Sequence, residues 1–263
     1  MSASLMSPGN VPSQEMVPDA DAPVSRPRNS LLLHVCCGPC SIMPVRRLLD
    51  EGFAVTAWFM NPNIQPLSEY FRRREAAGQC AERLGIDIIY EDAPWDLTAW
   101  LRAVAGRDTP PQRCTWCCVS RMEATCAAAR RMGFAYFSSS LLYSRYQPHE
   151  VIARAGRLLG DGRVRVLPEI DSVETAAMPP ADQGEACPAL PAATHGAAPA
   201  AAGPRFVYRD FRTDWQAGID ASLAWGVYRQ PYCGCVYSEA ERYHKKLRRL
   251  ITSGGGQGQA PKK

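Results

Sequence analysis

The residues with chemical potential are cysteines, and three short stretches hold most of the 11 in the chain. They are Cys36-Cys37-Gly38-Pro39-Cys40, Cys114-Thr115-Trp116-Cys117-Cys118 and Cys233-Gly234-Cys235. Neighbouring side chains of a regular strand point to opposite faces. Cys36 and Cys37 can therefore serve one site only where the backbone leaves strand geometry, and Gly38-Pro39 supplies that break. Failing that, they pack as small hydrophobes. Cys37 and Cys40 form a CxxC at a helix start, a redox pair with a helix-lowered thiol pKa or a cysteine beside a metal. Cys114 and Cys117 can point two thiolates at one metal from a single turn. Added to Cys36 and Cys37, they give four soft ligands, suited to Zn²⁺ or a [4Fe–4S] cluster. Spacing does not choose between the two. Cys118, one residue further on, is expected to face elsewhere. The CxC of Cys233 and Cys235 is too tight for an ordinary structural disulfide. It reads as a strained, labile pair or as two ligands of a second metal.

Other residues are read against these. Tyr228, Arg229, Gln230 and Tyr232 crowd the turn before Cys233, as ligand contacts or as a packed turn. Cys80 and Cys126 fall on apolar helical stripes and read as core. His34 is a satisfied core histidine or a group supporting a ligand.

The elements that must position these cysteines follow from periodicity. "LLLHV" (31–35) is a short apolar strand, and Ile42, Val45, Leu48 and Leu49 make a helical stripe closed by Gly52. A strand at 53–60, a helix from Leu67 to Leu84 ended by Gly85, and a strand at 86–90 come next. Helices at about 95–104 and 113–131 precede the strand "FAYFSSS", and another helix covers about 148–159. Strand alternating with helix predicts an α/β fold: a parallel, Rossmann-like sheet with helices on both faces. Ligands of such sheets collect at the carboxyl ends of the strands, which would place a Cys-rich metal site at that edge. Further helices are expected at about 213–226 and 238–250. The organisation expected is a disordered arm (1–29), an α/β core (30–173), a disordered Ala/Pro-rich insertion (174–204), a helical part with the YCGC motif (205–250) and a disordered tail (251–263).

Composition bounds the rest. The chain has 263 residues, 46% of them hydrophobic, enough for a sizeable core. No apolar run is long enough to span a membrane, and the first residues lack a secretory apolar segment. Clustered cysteines without such a segment suit a reducing cytoplasm and metal or redox sites better than a disulfide framework. The net charge of +4 neither requires nor excludes a nucleic-acid partner. The basic runs at Arg72-Arg73-Arg74 and 245–249 are phosphate contacts or solvated helix faces.

Taken together, "HVCCGPCS" (34–41), "NPNIQPLSEYFRR" (61–73), "RCTWCCVSRM" (113–122), "SSSLLYSRYQPHEVI" (138–152) and "YRDFRTDWQAGIDASLAWGVYRQPYCGCVYS" (208–238) resemble the epoxyqueuosine reductases of the QueH type. The pieces occur in the family's order. The resemblance implies a cytoplasmic iron–sulfur enzyme that reduces epoxyqueuosine to queuosine at the wobble base of tRNA. It implies an adenine-nucleotide hydrolase-like sheet, with Cys36, Cys37, Cys114 and Cys117 as [4Fe–4S] ligands and Cys233 and Cys235 as the redox-active pair. A second iron is implied nearby, with Cys40 a candidate ligand. The chain departs from the pattern in its insertion and at Cys118, where an aromatic residue is more usual.

Converting the epoxide to an alkene removes oxygen as water and takes two electrons and two protons. A single cluster passes one electron at a time, so a dithiol or second metal would complete the pair. Tyr232, His34 and Asp210 are proton-donor candidates by type. No nicotinamide fingerprint or P-loop lysine motif occurs, so an external electron donor is expected. Two competing readings are a zinc-dependent or ATP-using tRNA-modifying enzyme and a non-catalytic zinc-stabilised tRNA-binding module. A third is a thiol–disulfide oxidoreductase using Cys37 and Cys40.

Overall fold

The fold was obtained as a computed structural model and is described for residues 26–107, 109–171 and 203–253. The expected arm, insertion and tail lie outside the described residues except at their margins. At the centre is β1 (Ser30–His34), buried along its whole length, as a near-continuous apolar run in a parallel sheet should be. It pairs in parallel with β2 (Ala54–Phe59) on one side and with β4 (Tyr136–Ser139) on the other. β3 (Ile88–Tyr90) and β5 (Arg205–Phe206) complete a five-stranded parallel sheet of order β3-β2-β1-β4-β5.

The strand order reverses between β1 and β4. Right-handed crossovers that first run toward β3 and then return to β4 put their helices on opposite faces. Accordingly α1 (Gly38–Asp50) packs on α2 (Leu67–Leu84) and α7 (Trp215–Ala224). On the other side α4 (Pro110–Arg131) packs on α5 (His149–Gly160) and α6 (Leu167–Asp171). The short α3 (Leu97–Ala103) precedes α4, and α8 (Val236–Ser253) closes the described chain. The fold is the expected Rossmann-like α/β sheet, and among the described residues no helix is long and apolar enough to cross a membrane.

Where element boundaries differ from expectation, local chemistry explains it. β4 stops at Ser139 because the Ser139 hydroxyl accepts the Leu141 N–H and starts a 3₁₀ turn at 140–143. α4 begins at Pro110, since proline suits the first helical turn. α6 and β5 were not foreseen. β5 is two residues long and is recognised only through partners: it pairs with β4, and Phe206 packs on Phe137 with ring centroids 5.3 Å apart.

Gly38 fixes how α1 sits. A Cβ there would fall 2.4 Å from the Ala76 carbonyl oxygen of α2, so only glycine lets the two helices meet at the point where α1 leaves the cysteine loop. Gly38→Ala should therefore cost about 1–3 kcal/mol, the usual range for overpacking. Urea unfolding of the two proteins at equal metal content measures this directly, and an unchanged midpoint would contradict the close packing.

Candidate functional site

Between the end of β1 and the start of α1 the chain turns out of strand geometry, as Gly38-Pro39 predicts. Cys37 is the extended residue that caps α1, and its Sγ accepts the Cys40 N–H at 3.2 Å. The sulfurs of Cys36, Cys37 and Cys40 lie within 4.8 Å of one another, a grouping that could hold a metal ion. Ser140 binds Cys36 twice: its Oγ accepts the Cys36 N–H at 3.0 Å and lies 3.4 Å from the Cys36 sulfur. Gln230 Nε2 donates to Cys37 Sγ at 2.8 Å and reaches Cys40 Sγ at 3.5 Å. Hydrogen bonds from the Cys37 and Cys40 thiols hold the Cys36 thiol well below its usual range, against the effect of burial. Cys37 is pushed up, by burial and then by Cys36, while Cys40 is pushed up by its bonds to Cys36 and Cys37. The three sulfurs thus differ in acidity, with Cys36 the most readily ionised.

A second group lies beside it. Cys114, Cys117, Cys118 and Arg121 of α4, Cys233 and Cys235 of the C-terminal loop, Asn63, Trp100, Arg113 and Gln147 line one pocket. Burial pushes the Cys114 thiol up to about 12 and the Cys117 thiol up to about 11. Cys118 is also pushed up by burial, and its Sγ donates to Gln147 Oε1 at 3.3 Å. Gln147 Nε2 in turn donates to Cys233 Sγ at 3.2 Å. Arg121 is buried, bonded to its own helix at the Cys117 carbonyl (3.1 Å) and to Cys118 Sγ at 3.7 Å. Burial alone would lower its pKa. The negative charge available on Cys117, Cys118, Cys233 and Cys36 outweighs this and raises it.

The loop carrying Cys233 and Cys235 is latched to α2 and to the loop before it. Arg73, 1% exposed, donates from Nε to Glu69 Oε1 at 2.7 Å. Its Nη1 donates to the Cys233 carbonyl at 2.6 Å and its Nη2 to the Tyr232 carbonyl at 3.0 Å. Tyr228 donates to Glu69 Oε2 at 2.6 Å, and Tyr232 to the Gln65 carbonyl at 2.9 Å. Gly234 adopts φ +149°, and its carbonyl accepts the Gln65 N–H at 2.8 Å. Cys235, buried, receives the Ser238 N–H on its sulfur at 3.4 Å, at the start of α8.

The six cysteines expected to form the site thus divide. Cys36 and Cys37 join Cys40 in the triad. Cys114 and Cys117 share the pocket with Cys233 and Cys235. Cys118, expected to face elsewhere, also lines the pocket. The two groups adjoin electrostatically, since Arg121 acts on both and Cys36 acts on Cys233. Cys80 and Cys126 are core residues. Of the proton-donor candidates, His34 is fully buried between Ser139 Oγ (2.9 Å) and the Met60 carbonyl (3.2 Å), and burial lowers its pKa to about 4. It is a neutral strut between strand ends. Asp210 is paired with Arg212, which lowers its pKa. Burial raises the Tyr232 phenol to about 12. Arg72-Arg73-Arg74 is not a uniform solvated face, because Arg73 is internal.

Arg121 and Gln147 were not foreseen as site residues; Arg73 was read only as part of a basic run, and Gln230, read with its turn as a ligand contact or a packing residue, touches the triad. Arg121 had a usable signal: four residues after Cys117 on a helix, it must share that residue's face. The donor set suits a thiophilic metal centre. Its sulfurs are soft, burial pushes most of them toward thiols that a cation would ionise, and the buried Asn63 Oδ1 and Trp100 Nε1 at the pocket lack hydrogen-bond partners among the described residues.

A Rossmann-like domain with thiols gathered at its switch point belongs to the class of α/β proteins equipped for metal or redox chemistry. The family described as Epoxyqueuosine reductase QueH matches residues 31–169 and 189–241. The epoxyqueuosine reductase QueH of Dehalococcoides mccartyi is 31% identical over 215 residues, covering 82% of this chain and 95% of the relative. Those of Haemophilus influenzae and Thermotoga maritima are 30% and 29% identical, with coverages of 86% and 80%, and of 82% and 93%. The U34-tRNA thiolase NcsA of Methanococcus maripaludis, solved with its [4Fe–4S] cluster, overlaps 89% of this chain and 70% of its own at a TM-score of 0.42 and 14% identity. The chain belongs to the epoxyqueuosine reductase QueH family.

The latch gives a test. Arg73→Ala strands the Glu69 carboxylate in the interior and frees two carbonyls of the cysteine loop. The expected loss of stability is about 3–5 kcal/mol, as for one half of a buried ion pair. Limited proteolysis should then cut within 228–236 well before global unfolding. Equal resistance in both proteins would show that the loop is held by other contacts.

Proposed function

We propose that this chain reduces epoxyqueuosine to queuosine at the wobble position of tRNA, as an iron–sulfur oxidoreductase in a reducing cytoplasm. Family membership supports the substrate and the reaction. The observation that supports a dithiol beside the α4 cysteines is the pocket that Cys114, Cys117, Cys233 and Cys235 line together. In this reading Cys36, Cys37, Cys114 and Cys117 hold a [4Fe–4S] cluster, and Cys40, the third sulfur of the triad, is the candidate ligand of a second iron. When bound, such a centre supplies single electrons and a Lewis acid for the epoxide oxygen.

The chain's own residues account for the stoichiometry. Deoxygenation consumes two electrons and two protons and yields an alkene and water. Closure of the Cys233/Cys235 dithiol to a disulfide releases two electrons and two protons, so the loop can balance the reaction without a separate acid. That matters because the Tyr232 hydroxyl is engaged, His34 is neutral and Asp210 is ionised. Gln147 holds the Cys233 sulfur and the Arg73 latch holds its backbone. The exposed Cys233 is accessible to the external electron donor that must reopen the disulfide. Arg121 supplies buried positive charge that favours anionic sulfur at both cysteine groups.

Anaerobic incubation with tRNA carrying epoxyqueuosine and a chemical reductant, followed by nucleoside mass analysis, should show loss of one oxygen. An unchanged nucleoside mass would end this reading. Cys36→Ala and Cys117→Ala should each lose iron and the broad visible absorption of a thiolate-ligated cluster; a variant that keeps both overturns its ligand assignment. Replacing Cys233 and Cys235 together by serine should retain iron but abolish turnover. Turnover at the wild-type rate would remove the dithiol from the mechanism.

A further inference from the structure

The segment leading to Gln147 carries an aromatic group that the site does not use. Tyr146 is 86% exposed, the most open of the large apolar side chains in the described core. It is nonetheless fixed. Its N–H donates to Ser144 Oγ at 3.2 Å, and its ring meets Trp215 in a T-shaped contact with centroids 5.7 Å apart. Trp215 stacks in turn on Tyr143, at 5.2 Å and an interplanar angle of 25°. Tyr143 is buried, and burial raises its phenol pKa; its hydroxyl donates to the Trp215 carbonyl at 2.8 Å. The three rings form a ladder to the surface from the 140–143 turn, whose Ser140 bonds Cys36. Arg145 sits over Trp215 at 5.6 Å, and Gln147 touches the Cys233 sulfur. The open ring is therefore one residue from Gln147, the side chain that touches the reacting loop, and is packed on Trp215, over which Arg145 also lies.

We propose that Tyr146, backed by Trp215, is a stacking platform for a tRNA base adjacent to the nucleotide that enters the cysteine pocket. The inference rests on the reading of this chain as acting on tRNA. Leaving an aromatic ring in water forfeits its burial energy, and immobilising it there costs entropy. Both costs are recovered when a flat, apolar surface covers the ring. Unpaired bases of a single-stranded loop offer such surfaces, and proteins bind them on aromatic side chains. An enzyme that must reach one nucleotide of a loop has to part it from its neighbours, and an open ring next in the chain to a pocket-lining residue replaces the lost base stacking. The Arg145 guanidinium over Trp215 suits the phosphate that accompanies each base.

The test uses the metal-loaded full chain and an anticodon stem–loop RNA with epoxyqueuosine at the wobble position, read by equilibrium binding. Tyr146→Ala should weaken binding roughly 5- to 150-fold, the range for losing one base–aromatic stack. Tyr146→Phe, which keeps the ring, should stay within about twofold of the wild type. Melting temperature and iron content should hold in both; were Tyr146→Ala to melt early, Tyr146→Leu makes the same comparison. An abasic site at one of the two neighbouring positions should weaken wild-type binding and add nothing to the loss in Tyr146→Ala. Equal binding by the alanine, leucine and wild-type proteins would overturn the platform, as would fully additive losses at both neighbours. Failure of the wild type to deoxygenate the nucleotide is a separate result, read by mass, and bears on the activity rather than on the platform.

Discussion

Arg73 is buried, and its guanidinium fork has one end on a carboxylate and the other on two carbonyls. The Nε bond to Glu69 neutralises it within α2, and the two Nη bonds take hold of Tyr232 and Cys233 some 160 residues away along the chain. No lysine could replace it, because a point charge on a flexible stem cannot meet three acceptors in fixed directions. Tyr228 extends the same arrangement by donating to the second Glu69 oxygen. A loop of two cysteines and a glycine has little apolar surface to anchor it. Its position is bought by this buried polar network, and the pocket exists because the network closes over it.

Charge is the second constraint. Gathering eight sulfurs at one rim is easy while they remain thiols and costly once they ionise, since burial opposes each thiolate. The raised thiols at Cys37, Cys114, Cys117 and Cys118 show that opposition. Arg121 works against it from the middle: among the described residues its side-chain bonds go to a carbonyl and a sulfur, and no carboxylate pairs with it. A guanidinium paired with a carboxylate would be electrostatically spent. Left to the sulfurs, it favours negative charge on whichever of them a metal or an electron pair requires.

Much of this was legible in the sequence, for reasons that differ by element. β1 reads as a strand because a central parallel strand is apolar on both faces. The turn at Gly38-Pro39 reads as a break because glycine and proline permit little else, so the convergence of Cys36 and Cys37 followed from local geometry. Cys40 was read as a redox partner of Cys37 or a cysteine beside a metal, and its place with Cys36 and Cys37 follows from Cys37 capping α1 with its sulfur, which brings the Cys40 backbone within reach. It misplaced Cys118 because it treated the helix face as narrow; a pocket closed by a loop from above can be lined by residues that diverge on the helix. Arg73 looked like one third of a surface basic run. Its burial depends on acceptors contributed by a loop that no local pattern connects to α2. β5 was invisible for a similar reason, because two residues carry no period.

The two glutamine amides show how the distant segments become one site. Gln230 reaches down from the C-terminal loop to Cys37 and Cys40, and Gln147 reaches across from the loop after β4 to Cys118 and Cys233. An amide is suited to this task. It donates to a sulfur whether that sulfur is thiol or thiolate, adds no charge of its own, and cannot be titrated away near neutral pH. A lysine or arginine in either place would lock its sulfur as an anion, and a carboxylate would repel one. Neutral donors keep Cys37, Cys40 and Cys233 oriented through a change of charge state, while Gln147 Oε1 accepts from the Cys118 thiol. Rigidity therefore comes from the buried ion pair at Arg73, while tolerance of changing charge comes from the amides. The division explains why the loop is bound to α2 through Arg73 and Glu69, while Gln230 and Gln147, both neutral, are what join it to the sulfurs.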